Sequence, residues 1–290
     1  MNNNKTIEET LEAWFGPWFK RIRIFCKHNQ GFNGDAGTWG EVLGAVIKGV
    51  RCTGTTGGNA FDLSDKTEIK TIFLCQSQEC NKCNNKVMYF LDKCPCCNSA
   101  DLREGRADSR AGISASSHVE HNIPMYLFTI VDLIDPQKGD DFYRFSVKTY
   151  KIDSKNSYFN KLCINQHEKS KSDTVNFLPF SYDFYRSNPE RIFEAEVKCE
   201  ENGAECSIKL NVSSNKHEHM PIDLLKGKEV RAILDELDID VRKSWSKAKL
   251  VKLLTETLGA DIIDHVKFGG CLPLRNKAFN KARGPTRRSK

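Results

Sequence analysis

An α/β fold of the α+β kind, a mixed sheet flanked by helices, is the architecture this chain of 290 residues predicts. Three observations predict it. Apolar residues recur at helical spacing near both ends, and period-two runs fill the middle. Two Cys-x-x-Cys pairs, ten residues apart, interrupt those runs with an insertion of metal-binding type. The expected organisation is a core over residues 1–215 with the cysteine-rich insertion at about 75–104, a helical module over 216–265 and a basic tail over 266–290.

Composition narrows the class. With 39% apolar and 10% aromatic residues the chain is globular and not disordered. No apolar segment follows a basic start, so no secretory signal is expected, and no run reaches the ~18 apolar residues that cross a bilayer. Eight of the 12 cysteines fall between Cys26 and Cys97, which suits metal binding in a reducing cytoplasm better than a disulfide scaffold. The net charge is only +6, yet residues 266–290 hold eight Lys or Arg and no acid. Such a tail is an electrostatic lead for nucleic acid, and equally a solubilising end.

Taken in order, residues 5–27 read as helix. Ile7, Leu11, Trp14 and Phe15, then Trp18, Ile22 and Phe25, form its stripe, with a break at Gly16-Pro17. A polar loop over 28–37 follows. The next helix begins at Thr38, a cap whose capping-box partner is Glu41, and buries Val42, Ala45, Val46 and Gly49. Its small residues Gly44, Ala45 and Gly49 let it lie close on a sheet. Residues 51–58, Arg-Cys-Thr-Gly-Thr-Thr-Gly-Gly, connect it to the strands without the lysine of a P-loop.

Two apolar runs, 60–63 and 67–74, flank Ser64-Asp65-Lys66 and predict a β-hairpin. Phe61, Leu63, Ile69 and Thr71 then share one face, and Asp62, Glu68 and Lys70 the other. Paired carboxylates suit magnesium, a hard ion that takes one or two protein carboxylates and keeps water. Lys70 would orient or deprotonate a water beside it. The plainer reading is a solvated charged face.

Cys80-x-x-Cys83 and Cys94-x-x-Cys97, joined by a hairpin holding Val87, Tyr89 and Phe90, have the layout of a zinc ribbon: four thiolates, a closed structural site, and Cys96 as a spare. Residues 108–124 read as a loop, in which Arg110 and Ser114–Ser117 are candidates to reach phosphate or bases. His118 and His121 read as surface or hydrogen-bonded residues. Residues 125–134 predict a buried strand and 142–152 another. Residues 154–188 read as irregular, with an aromatic cluster (Phe177, Phe180, Tyr182, Phe184, Tyr185) as a local core. Asn202-Gly203 turns a hairpin between 192–197 and 206–212, with Cys199 and Cys206 expected reduced. Two leucine-patterned helices follow, the first carrying Leu224, Leu225, Val230, Ile233, Leu234 and Leu237. The second starts near Ser244 or Ser246. Lys243, Lys247 and Lys249 are its candidate DNA contacts.

The Asp62, Glu68-x-Lys70 pattern resembles the active-site signature of the PD-(D/E)xK nuclease superfamily, with Phe61 in the place of the Pro and a five-residue gap that demands a tight turn. A helix before the catalytic strands carries a Glu near the metal in that family, and Glu41 matches the place; a purely capping Glu41 is the alternative. The Gly-x-x-Phe-Asp-Leu to Glu-Ile-Lys-Thr segment is similar to type II restriction endonucleases of the MamI kind, and residues near 216–265 resemble a SAP-like DNA-binding module. The resemblance implies a restriction-endonuclease-like core and hydrolysis of double-stranded DNA to 5′-phosphates. Mg2+ would be held by Asp62, Glu68 and the Ile69 carbonyl. It also implies a homodimer and a cognate DNA methyltransferase. The alternatives are a junction-resolving or repair nuclease and a non-catalytic zinc-ribbon regulator.

Overall fold

The computed structural model describes residues 3–17, 36–53, 61–74, 77–88, 92–104, 110–134, 142–170, 172–200, 203–208, 216–217 and 225–265. They fall into two compact units, Met1–Pro179 with Glu190–Lys216, and Phe180–Pro189 with His217–Lys290. Several expectations lie outside the described residues: the helix after Gly16-Pro17, the 54–58 connector, Tyr89, Phe90, Asn202, Leu224 and the basic tail.

In the first unit, α1 (Asn3–Phe15) and α2 (Ala36–Lys48) precede β1 (Thr67–Phe73). The cysteine insertion follows as β2 (Ser77–Cys80), β3 (Lys86–Met88) and β4 (Leu102–Glu104). Then come β5 (Ala111–Ser114), α3 (Ala115–His121), β6 (Met125–Ile134), β7 (Phe142–Asp153), α4 (Ser157–Lys169) and β8 (Thr174–Phe177). The short helix α5 (Tyr182–Arg186) belongs to the second unit, and the chain returns as β9 (Glu190–Glu200) and β10 (Gly203–Ile208). The main sheet is mixed and runs β1-β6-β7-β9-β10. β1 lies parallel to β6, while β6, β7, β9 and β10 pair antiparallel in turn. A parallel pair needs a long crossover, and the insertion, β5 and α3 supply it.

Both sheet faces are covered. Ile7, Leu11, Trp14 and Phe15 of α1 recur at helical spacing and pack with Leu43 against Phe145, Val147, Phe193, Ala195 and Val197. On the other face, rings from α4 and β8 close over β6: Phe128 lies 5.0 Å from Phe177 and Tyr126 5.1 Å from Phe159, centroid to centroid. Between β6 and β7 the buried hydroxyls of Thr129 and Thr149 satisfy each other at 3.1 Å. Among the described residues, no helix is long and apolar enough to cross a membrane.

Two stretches expected to be irregular are ordered. Residues 154–188 contain α4, β8 and α5. α4 is capped by the Asn156 side chain, which accepts from the N–H groups of Tyr158 and Phe159. It fully buries only Phe159 and Cys163, so it carries no stripe long enough to read as periodicity. Residues 111–121 form β5 and α3, with Ser114 as N-cap accepting from the Ser117 N–H at 3.1 Å. The hydroxyls of Ser114 and Ser116 both donate to Asp173, so they staple α3 to the start of β8 and are not offered to a phosphate. His118 is buried between Tyr126 Oη and Asn160 Oδ1, each at 3.1 Å. The aromatic cluster also divides. Phe177 joins the core of the first unit, while Phe180, Phe184 and Tyr185 pack with one another in the second.

The second unit packs α6 (Gly227–Glu236) against α7 (Lys247–His265). Leu225, Val230, Leu234, Leu250 and Leu254 are buried between them, with Tyr182, Ile239 and Trp245 around the margin. Leu237, expected in the stripe, is exposed just past the helix end. The Arg231 guanidinium donates to the carbonyls of Arg242, Lys243 and Trp245 at 3.0, 3.0 and 2.8 Å, which shapes the link between the helices. Lys243, Lys247 and Lys249 are exposed, and the Lys249 ammonium stands 4.2 Å from the Trp245 ring centroid.

Candidate active site and cysteine metal centre

The sequence pattern predicted a hairpin at 60–74, and only its closing rung forms. Leu63 donates to the Thr67 carbonyl at 3.1 Å and pairs with Cys52 as an isolated bridge, while Ser64–Lys66 turn. The physical reason lies in Asp62. Its Oδ2 accepts from the Ile69 N–H at 2.7 Å, taking the hydrogen bond a partner strand would have supplied. A strand residue's N–H and C=O leave the chain on the same edge. The Ile69 carbonyl therefore faces the edge that carries Asp62, where the resemblance puts a metal ligand.

Glu68 and Lys70 alternate with buried Ile69 and project together from β1. Their side chains are 18% and 25% exposed, and Lys70 Nζ donates to Glu68 Oε1 at 2.7 Å. Burial pushes the Glu68 carboxyl above the usual range; Lys70 opposes the rise, and Asp62, which shares a side-chain hydrogen bond with Glu68, adds to it. Glu41 is pushed up in the same direction, first by burial, then by the charges of Asp62 and Glu68, with Lys70 opposing. Cys52 completes the group: its thiol is raised by partial burial and by Glu41 and Asp62. The structure thus brings Glu41, Asp62, Glu68 and Lys70 within mutual electrostatic reach at the outer edge of β1. Cys52 was not anticipated, since no motif marks it.

The position of Glu41 is set by glycine. A Cβ on Gly40 would fall 1.7 Å from Thr71 Oγ1, and one on Gly44 2.8 Å from Ile69 Cδ1. Helix α2 therefore rests on β1 through two glycines one turn apart, and Glu41 is carried beside them. Thr38 lies inside α2, which already includes Ala36, so the expected Thr38 cap and its box with Glu41 do not form. Gly49, expected to pack against the sheet, instead ends the helix. At φ +68 it donates to Val46, and Val50 donates to Ala45, the paired bonds of a Schellman stop. Lys48, at the last turn, pairs with Asp65 and donates to Thr67 Oγ1 at 2.6 Å, tying the helix end to the turn that presents Asp62. Against the effect of burial, Lys48 and Thr67 hold the Asp65 carboxyl below the usual range.

The cysteine insertion is built from two matching knuckles. Asn84 donates to the Cys80 carbonyl and Asn98 to the Cys94 carbonyl, both at 2.8 Å, with φ of 57° and 56°. Cys80 then donates back to Asn85, and Cys94 to Ser99, at 3.0 and 2.8 Å. The knuckles set Cys80, Cys83, Cys94 and Cys97 with all ligand sulfurs within 4.8 Å of one another, and Cys96 exposed outside. The closest sulfur pairs, Cys80–Cys97 and Cys83–Cys94, are 3.4 and 3.5 Å apart. A disulfide needs ~2.05 Å, whereas zinc–thiolate bonds of ~2.3 Å give a tetrahedral edge near 3.8 Å. Burial opposes ionisation of Cys80, but the N–H groups of Cys83 and Lys82 and the Cys97 thiol bring it down to about 6. The Asn85 N–H favours the Cys83 thiolate too, yet burial and the three neighbouring thiols push Cys83 up to about 12. Four thiols that cannot all ionise side by side become compatible once a cation joins them. These cysteines could hold a metal ion, consistent with structural zinc.

Arg110 is exposed ahead of β5. Comparison with protein-family models, curated proteins and solved structures returns no match.

Proposed function

We propose that the protein is a magnesium-dependent endonuclease with a PD-(D/E)xK core, acting as a type II restriction enzyme that hydrolyses phosphodiester bonds of double-stranded DNA. One observation carries the reading. The Asp62 carboxylate, fixed by the Ile69 N–H, shares a hydrogen bond with Glu68, whose other partner is Lys70. On this half-buried edge burial and the neighbouring Asp62 oppose the ionisation of Glu68, and a divalent cation would relieve that opposition. Asp62, Glu68 and the Ile69 carbonyl would hold Mg2+, with Glu41 close by. When bound, the ion neutralises charge developing on the phosphate oxygens.

The chain's own residues divide the remaining work. Lys70, anchored on Glu68, presents its other N–H donors to orient the attacking water. Ile69 N–H keeps Asp62 in one orientation. The glycine seam between α2 and β1 keeps Glu41 at the same edge. The four-cysteine centre offers no open coordination place and serves the fold. The exposed lysines of the second unit, with the SAP-like helix pair they belong to, would grip the phosphate backbone. A homodimer would cut both strands of a symmetric site, and a matching DNA methyltransferase would protect the host cytoplasm's own DNA.

The experiment is a digest of duplex DNA by the wild type and Lys70→Ala, with magnesium and with EDTA. Discrete magnesium-dependent fragments lost in the variant support restriction. Cutting confined to branched substrates supports a junction-resolving enzyme. DNA binding with no cutting on any substrate overturns the nuclease and leaves a zinc-bearing regulator.

A further inference from the structure

We propose that Lys66 and His121, held around the Phe61 ring, form a phosphate-binding rim that draws the DNA backbone onto the carboxylate centre. The inference rests on the nuclease reading and adds to it the side chains that grip the strand next to the bond being cut.

Three lysines surround the turn that presents Asp62. Lys48 is paired with Asp65, and Lys70 with Glu68. Lys66 has no carboxylate partner among the described residues; its ammonium instead stands 5.9 Å from the Phe61 ring centroid. The same ring meets His121 edge-on, centroids 6.4 Å apart. Lys66 and His121 are exposed and Phe61 is half-buried, so one aromatic ring, adjacent in sequence to Asp62, carries a cation and an imidazole. Phe61 is itself pinned, because its carbonyl accepts from the Thr53 hydroxyl.

The backbone adds an independent observation. Lys66 has φ +68, left-handed space that costs a side-chain-bearing residue. It sits in a turn closed by its own N–H on the Leu63 carbonyl at 3.0 Å. A turn shaped for stability alone would take Gly or Asn there. A lysine at that position, without a carboxylate partner among the described residues and held at a ring, fits a ligand with negative charge. Ammonium and imidazole N–H groups donate to phosphate oxygens, and a ring edge suits sugar or base. In a duplex, the phosphodiester flanking the one at Asp62 and Glu68 provides both.

The test compares the full-length wild type with Lys66→Gly, Lys66→Arg and His121→Ala. Three quantities are read: melting temperature, affinity for a DNA duplex in EDTA across a salt series, and KM and kcat for magnesium-dependent cleavage. Glycine relieves the left-handed strain, so Lys66→Gly is expected to melt about 2–4 °C higher. It should nevertheless bind DNA about 5- to 10-fold more weakly, with the salt slope reduced by about one. KM should rise with kcat at saturation unchanged, Lys66→Arg should recover the affinity, and His121→Ala should weaken binding in the same sense. If the wild type cuts and Lys66→Gly retains the wild-type KM and salt slope, the rim is wrong and the nuclease reading stands. If the wild type cuts no DNA, the nuclease reading falls and the rim falls with it.

Discussion

Replacing Gly40 by alanine tests the contact that places Glu41 beside β1. The added Cβ would lie 1.7 Å from Thr71 Oγ1, with Thr71 Cβ at 3.0 Å and Cγ2 at 3.4 Å. An overlap that deep is not absorbed by tenths of an ångström. Either Thr71 leaves its rotamer or the helix lifts off the strand. Overpacking of this kind costs up to ~3 kcal/mol, offset by about 1 kcal/mol of helix propensity gained on replacing glycine. The net expectation is a loss of ~2 kcal/mol, or a melting temperature lower by roughly 4–8 °C in a domain of this size. Thr71→Ala in the Gly40→Ala background removes the oxygen, which has no hydrogen-bond partner among the described residues, but leaves the Cβ contact. The double variant should recover at least ~1 kcal/mol, a coupling read from the four-member cycle by thermal or urea unfolding. Gly44→Ala is the internal control. Its Cβ meets the mobile end of Ile69 at 2.8 Å, which can swing aside, so its cost should be near zero. The same Gly40→Ala protein should lose DNA cleavage in excess of its loss of folded fraction, because Glu41 moves with the helix. Equal stability of Gly40→Ala and wild type, or no rescue by Thr71→Ala, would refute the seam between α2 and β1.

Glu68→Gln mimics the protonated form that burial and Asp62 favour, so without metal it should melt above the wild type at neutral pH while cleavage falls about a hundredfold or more; magnesium should raise the wild-type melting temperature and leave the variant's unmoved. Cys94→Ser should reduce bound zinc, measured by atomic emission, from about one per chain to a small fraction. Amide exchange should then speed up over 77–104 and stay slow in β6 and β7, since the insertion's own core is little more than Val87 and the cysteines. His118 has its imidazole pushed down by burial, with Asn160 opposing. Its folded pKa thus lies below the unfolded value of ~6.5, and the unfolded chain takes up the proton first. Stability is full above that value and falls as pH drops towards the folded pKa, by about 1.4 kcal/mol per unit of separation. His118→Gln should erase this component of a urea-titration series between about pH 7.5 and 5, and a wild type with no extra acid sensitivity over the variant would contradict it. Arg231→Met removes the bonds to three carbonyls and should destabilise the second unit by about 2 kcal/mol, visible as faster exchange over residues 239–246 with the sheet unaffected.

Where residues act through local chemistry, the sequence was readable. Cys-x-x-Cys spacing specifies the cysteine knuckles because each needs only a short turn, and the αL places fall on Asn84 and Asn98, residues that tolerate them. The alternation of Glu68, Ile69 and Lys70 is a property of one strand, and so is the apolar run of β6. Partnership between distant segments was not readable in this way. Nothing in Thr67–Phe73 says that it pairs in parallel with Met125–Val131, because both strands satisfy the same pattern in either direction. Gly40 and Gly49 show the same limit. Both are small residues on one apolar stretch of sequence, yet only the strand beneath decides that Gly40 is a contact, and only the hydrogen bonds past Lys48 decide that Gly49 is a stop. Helix α4 escaped because its burial is brief, and α3 because a seven-residue helix shows barely two turns of pattern.

Among the described residues β1 is the last strand of its sheet, and an open strand edge is ordinarily blunted by a loop, a bulge or a charge. Here the blunting is done by Asp62 and Leu63, which take and give the Ile69 and Thr67 hydrogen bonds. A neutral Asn or Ser could accept from Ile69 as well, with no penalty for standing next to Glu68. The carboxylate instead raises the cost of ionising Glu68 and Glu41, and the surrounding structure is tied down as if to hold that repulsion in place. Lys48 anchors the turn through Asp65, a Schellman stop fixes the end of α2, and a strained Lys66 closes the loop. None of these charges is needed to bury the apolar residues beneath them. An edge that could have been sealed with neutral groups is sealed instead with opposed acids and a lysine, and that arrangement is the physical basis on which the active site is proposed.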